Sequence, residues 1–263
     1  MVDRYSRLFD KFDWAKRRCD ELEAAVEDFR RTQPYKIAHR RNDERGEITF
    51  YVEKVPELPV SLALLLGDVV HNLRSTLDHL AVALVSAAGG TPDKYVSFPV
   101  FDSLKAYNDL SRDRLKGVSQ YCLQTIDNMQ PYKQGFGHWA WQLHQLDIID
   151  KHRLLLTVAT MAVGRTMTVS EQAVFEAKQT ITGPRAHTER QYAKAASSPN
   201  PVPISPGYEL GTFPISDIGQ NIGFAFDIAI NEPKVGLLQP TFLLLGFFSS
   251  EVSTAITNLA RFL

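Results

Sequence analysis

Ten residues, HNLRSTLDHL, run from His71 to Leu80 and set two histidines, an arginine and an aspartate inside an otherwise apolar stretch. Histidine exchanges protons near neutral pH, so it suits general acid–base work. Arginine offers a planar fork of donors that matches phosphate or carboxylate. On a helix advancing about 100° per residue, Val69, Val70, Leu73, Leu77 and Leu80 fall on one side. Asp68, His71, Arg74, Ser75, Asp78 and His79 fall on the other, with Asn72 at the edge. His71 and Asp78 are almost in line along the axis, with Arg74 between them. A solvated helix face is usually rich in Lys and Glu, and this one has neither. Its residues make directional hydrogen bonds instead.

A second stretch, HQLDIIDKHR (His144–Arg153), answers the first. His144, Asp147 and Lys151 share a face at i, i+3 and i+7, and Asp150, His152 and Arg153 fan out around the end. Five of the seven histidines lie in these stretches or just before the second. Three chemistries fit the pair. His71 and Asp78 on one helix with His144 and Asp147 on another form a candidate two-His, two-carboxylate metal set suited to Zn, Fe or Mn. The same side chains could instead tie two helices together through satisfied hydrogen bonds, as the polar seam of a non-catalytic interaction or scaffold protein. Basic residues at the end of the second stretch could also simply offset a helix dipole.

The third chemistry comes from a motif. Arg74-Ser-Thr-Leu-Asp-His79 is an R-x4-H pattern, and it resembles the signature of the HEPN superfamily, helical proteins that include many bacterial endoribonucleases. The resemblance implies a metal-independent endoribonuclease or RNA-binding protein without a cofactor. His79 would move the proton, Arg74 would hold the phosphate, and Asp78 or His71 would orient them. It also implies RNA as partner and two copies lining one cleft. The chain further resembles a group of bacterial proteins with a GD-x-x-HN-x-R-x-x-x-DH helix and a later DKHR. Here these are Gly67-Asp68, His71-Asn72, Arg74, Asp78-His79 and Asp150–Arg153. That likeness implies that the two stretches form one unit, and nothing about chemistry.

The elements that must position these residues follow from periodicity. Tyr5, Leu8, Phe12, Ala15, Cys19, Leu22, Val26 and Phe29 recur at alternating spacings of three and four, which predicts a helix over 3–32 with a heptad-like seam. Such a seam needs a second long helix, from this chain or from a second copy, so a homodimer through it is one expectation. Asp3 can cap its start and Pro34 stops its end. Residues 35–55 read as a β-hairpin around NDERG. Residues 60–88 form the helix of the first polar stretch, closed by Gly89-Gly90. Shorter helices follow near 102–116 and 118–129, and another begins near His138. LLLTVATMAV reads equally as helix or strand over 154–163.

Beyond Gly164 the pattern turns to β, with a Pro- and Ser-rich loop at 196–207. In IGFAFDIAI, Ile222, Phe224, Phe226, Ile228 and Ile230 alternate onto one face. PTFLLLGFFSS reads as a buried strand, and SEVSTAITNLARFL as a closing helix capped by Ser249-Ser250. A lone hairpin is too small to be stable. The expectation is therefore one α+β domain over 1–263, in which long helices pack on one antiparallel sheet built from the N-terminal hairpin and the C-terminal strands. Its helical part spans about 1–164, its mainly β part about 165–248 and its closing helix about 249–263.

Composition narrows the classes. A 263-residue chain that is 44% apolar can bury a real core. A net charge of −1 gives no global pull toward nucleic acid or anionic lipid, though local basic patches remain open. Two distant cysteines, Cys19 and Cys122, do not make a disulfide framework. The charged N-terminus does not read as a signal peptide, and no apolar run approaches the ~18 residues of a membrane span. These features point to a cytoplasmic protein away from the membrane.

Overall fold

The computed structural model describes residues 4–153, 158–167, 204–216 and 222–263. Helix α1 (Arg4–Arg31) buries Phe12, Ala15, Leu22 and Val26 along the expected seam. It ends where Gln33 turns to φ 49° ahead of Pro34. The partner of the seam is α2 (Val60–Ala87) of the same chain. Two antiparallel strands, β1 (Lys36–Asn42) and β2 (Glu47–Lys54), connect the two helices. The start of α1, where Asp3 would cap, lies outside the described residues.

Helix α2 is the centre of the core. Leu62, Leu66, Val69, Val70, Leu73, Leu77, Leu80 and Leu84 are all buried along it. Around it stand α1, α5 (His138–Arg153) and α6 (Thr241–Leu259). Between α2 and α5 run α3 (Leu104–Arg114) and α4 (Gln120–Met129). Each starts on a serine whose hydroxyl accepts an orphan backbone N–H, Ser103 from Ala106 and Ser119 from Cys122.

The fold class is α+β as expected, but the described strands form two sheets rather than one. The hairpin does recruit a later strand: β2 pairs with β4 (Glu209–Pro214), giving the order β1-β2-β4. The second sheet has the order β3-β5-β6, from Val158–Met167, Ile222–Glu232 and Gly236–Pro240. The reading of 154–163 resolves to strand from Val158 onward. The segment expected as strand beyond Met167, most of the Pro/Ser loop and residues 154–157 lie outside the described residues. Ile228, Ala229 and Ile230 are all buried, so β5 is covered on both faces near its end, beyond the one-sided burial its alternation predicts.

PTFLLLGFFSS is a correction. It is not a strand but the first half of α6, and Ser249-Ser250 lie inside that helix rather than capping it. Thr241, Leu244, Leu245, Phe248, Val252, Ala255, Ile256 and Leu259 are buried at helical spacing across both halves. An apolar run does not by itself distinguish buried strand from buried helix. Taken whole, Thr241–Phe262 is long and apolar enough to cross a membrane, which the two halves read separately concealed. Here that buried face packs on the protein core.

Among the described residues, two ion pairs bind the helices to the second sheet. Arg30 at the end of α1 donates to the buried Asp227 carboxylate at 2.6 Å. Arg153 at the end of α5 lies 3.8 Å from the buried Glu232. Both cysteines are free.

Candidate functional site

The two polar stretches face each other, α2 against α5. Arg74 is only 5% exposed, and its guanidinium is held from three sides. Nε donates to His144 Nδ1 at 3.2 Å, one terminal nitrogen donates to Asp78 at 2.8 Å, and the other donates to the Phe98 carbonyl at 3.3 Å. Asp78 also accepts the Phe98 backbone N–H at 2.9 Å. Arg74 and Asp78 thus clamp both polar groups of one loop residue, whose side chain is buried in the core. Burial and the neighbouring Arg74 charge push His144 down to a pKa of about 4, so its ring is neutral and accepts from Arg74.

One turn along, the pattern opens to solvent. Asp147 has a side chain only 4% exposed, yet it serves two partners that are about half exposed. One oxygen lies 2.9 Å from His71 Nδ1, and the other accepts from Lys151 Nζ at 2.6 Å. In the neutral ring, the tautomer that donates from Nδ1 to Asp147 leaves the lone pair of His71 on Nε2. A buried carboxylate behind a half-exposed imidazole is the arrangement a general base needs.

Asp150 sits against the α2 backbone at Gly67. A Cβ on Gly67 would come within 2.7 Å of the Asp150 carboxyl carbon, so only glycine admits this approach. Burial, with Asp147 and Asp68 nearby, pushes the Asp150 carboxyl above its usual range, and it keeps a proton more readily. Sequence reading named Gly67 and Asp150 as parts of the two stretches but gave neither a role in the site. The signal was a glycine inside a long helix, which costs stability unless something must come close.

His79 lies elsewhere on the α2 surface. It is exposed, and burial of part of its ring together with Lys11 of α1 lowers its pKa. The motif partners Arg74 and His79 therefore have different surroundings, one in the α2–α5 seam and one beside α1. The candidate metal set does not gather around a point either. The Arg74 guanidinium occupies His144 and Asp78, while His71 and Lys151 occupy Asp147. Among the described residues no three His, Cys, Asp or Glu side chains are grouped to hold a metal ion.

Compared with known proteins, the chain matches no family model, no curated protein and no solved structure.

Proposed function

We propose that the protein is a metal-independent endoribonuclease whose general base is His71, oriented by Asp147. The observation that carries this reading is the buried Asp147 carboxylate on Nδ1 of a half-exposed His71. In the reaction, Nε2 takes the proton of a ribose 2′-hydroxyl. The 2′-oxygen attacks phosphorus, and the bond to the 5′-oxygen breaks. Asp150, whose carboxyl is held above its usual range by burial, serves as the acid that gives the leaving oxygen its proton, and Lys151 offsets charge on the phosphorane. The products are a 2′,3′-cyclic phosphate and a 5′-hydroxyl. The R-x4-H resemblance supports RNA as substrate. The roles change from the motif reading: Arg74 is a positioning residue that holds His144 and the Phe98 loop, while His71 replaces His79 as the base.

A second reading has its own observation. Every nitrogen of the buried Arg74 guanidinium is satisfied within the protein, as in a structural polar seam of a non-catalytic interaction protein. Incubating purified protein with a panel of single-stranded RNAs, with and without EDTA, decides between them. The nuclease reading expects EDTA-insensitive cleavage with cyclic-phosphate ends. It also expects losses of about 10²–10⁴-fold in His71→Ala and Asp147→Asn. Wild-type protein that leaves the whole panel intact overturns it and leaves the structural seam.

A further inference from the structure

The solvent line of α2 is bordered by α5 on one side and α1 on the other. Asp68, His71, Ser75, His79 and Val82 follow one another along that line at spacings of three and four, exposed or half-exposed throughout. On the α5 side stand Lys151 and Asp150. On the α1 side Lys11 lies close enough to His79 to lower its proton affinity. Beyond Lys11, in the next two turns of α1, come Trp14, Arg17 and Arg18. Trp14 is 42% exposed, unusual for the largest apolar side chain. The guanidiniums of Arg17 and Arg18 lie 5.1 and 4.5 Å from its ring centre.

The charge is local. Residues 4–18 hold six basic side chains against Asp10 and Asp13, in a chain whose net charge is −1. Arg18 is paired with Glu21 at 2.8 Å, whereas Lys11 and Arg17 have no carboxylate partner among the described residues. An exposed aromatic ring among cations is the composition that holds single strands: the ring stacks a base and the cations follow the phosphates.

We infer that the N-terminal half of α1 is the strand-binding surface of this protein, taking single-stranded nucleic acid with a base on Trp14 and phosphates on Lys11 and Arg17. His71 and His79 are eight residues apart, roughly 12 Å along the helix axis. A strand crossing the reacting position at His71 therefore reaches this surface within a few nucleotides. The inference deepens the nuclease reading by naming how its substrate is held, but strand binding stands or falls by its own measurement.

That measurement is fluorescence anisotropy of a 5′-labelled 12-nucleotide oligo(U), with oligo(dT) and phosphatidylserine vesicles as parallel arms, on the intact protein in EDTA. Oligo(U) is expected to bind with an affinity that falls as salt rises. Lys11→Gln with Arg17→Gln should flatten the log–log salt slope by roughly 0.7 per lost phosphate contact. Trp14→Ala should weaken binding about tenfold or more, and Trp14→Phe should restore most of it. Trp139 and Trp141 are buried, so quenching of tryptophan emission by oligo(U) should vanish in Trp14→Phe. These side chains are surface residues, and circular dichroism should remain that of wild type. Binding of oligo(U) that is unchanged in all three variants overturns the inference, as does an absence of binding at low salt. Vesicle binding through the same residues without strand binding overturns it in favour of a membrane surface. A protein that binds oligo(U) as described but cleaves nothing upholds this inference and sinks only the nuclease reading.

Discussion

At the scale of single residues, Arg74 and His144 illustrate what buried polar groups cost and give. Removing a partner from a fully buried ion pair costs ~3–5 kcal/mol. Asp78 is 39% exposed and can rehydrate, so Arg74→Ala is expected to lower unfolding free energy by roughly 2–4 kcal/mol in urea titrations. Arg74→Lys should recover only part of that, because an ammonium cannot reach three partners in one plane. His144 makes a pH-dependent contribution. Its folded pKa of about 4 lies below the unfolded value of 6.5. Below pH 6.5 the unfolded chain takes up a proton that the folded chain refuses, so stability present above 6.5 is lost as pH falls toward 4. The loss is at most roughly 3 kcal/mol at 1.36 kcal/mol per unit. His144→Gln should flatten this limb of the stability profile, and an unchanged acid limb would show that His144 titrates normally.

The polar stretches were readable because side-chain type and helical phase were enough to place them. Their pairing partners were not. The Arg74–Phe98 clamp depends on where a loop folds back, and no periodicity encodes that. The same limit explains why R-x4-H looked like one site. Five residues on a helix turn the two side chains about 140° apart, so the neighbouring helices, α5 for one and α1 for the other, determine their surroundings.

At the scale of elements, the contact of α5 on α2 hangs on one missing side chain. Gly67→Ala gains helix propensity worth up to ~1 kcal/mol but drives a methyl group into the Asp150 carboxyl. A net loss of roughly 1–3 kcal/mol is expected from the overpacking. Adding Asp150→Ala should restore stability to wild type or above. A double-mutant cycle with no coupling between the two changes would mean that the close approach is not what constrains Gly67. Gly246 in α6 is the control: it is exposed in mid-helix, with nothing within 4 Å of an added Cβ. Gly246→Ala should stabilise by ~0.5–1 kcal/mol. Helix α6 is also where sequence reading went furthest astray. Its first half is a near-continuous apolar run that hides the helical spacing of its buried positions, and the serine pair invited a break that α6 runs through.

At the scale of the whole molecule, the helical layer and the second sheet are tied by two arginines of unequal worth. Arg30 serves a carboxylate that is 2% exposed, while Arg153 is itself 57% exposed and stands 3.8 Å from its partner. Arg30→Ala should cost roughly 1–3 kcal/mol, since it removes the guanidinium from the buried Asp227 carboxylate, which also accepts the Ile228 N–H at 2.8 Å. Arg153→Ala should cost under ~1 kcal/mol. Equal losses in thermal unfolding would contradict this ranking. The α+β class was visible in the switch from helical to alternating periodicity near Gly164. The division into two sheets was not, because the choice of β2's partner rests on long-range register and not on any local pattern.

The pairing of β2 with β4 also sets a timetable. Strand β2 ends at Lys54 and β4 begins at Glu209, so about 155 residues must leave the ribosome between them. At 5–20 residues per second that interval is roughly 8–30 s. Throughout it the nascent hairpin carries an open edge of unpaired backbone groups, the kind of template on which chains from neighbouring ribosomes stick together. Synthesis rate and chaperone supply, rather than the stability of the finished fold, would then govern how much of this protein a cell recovers in soluble form.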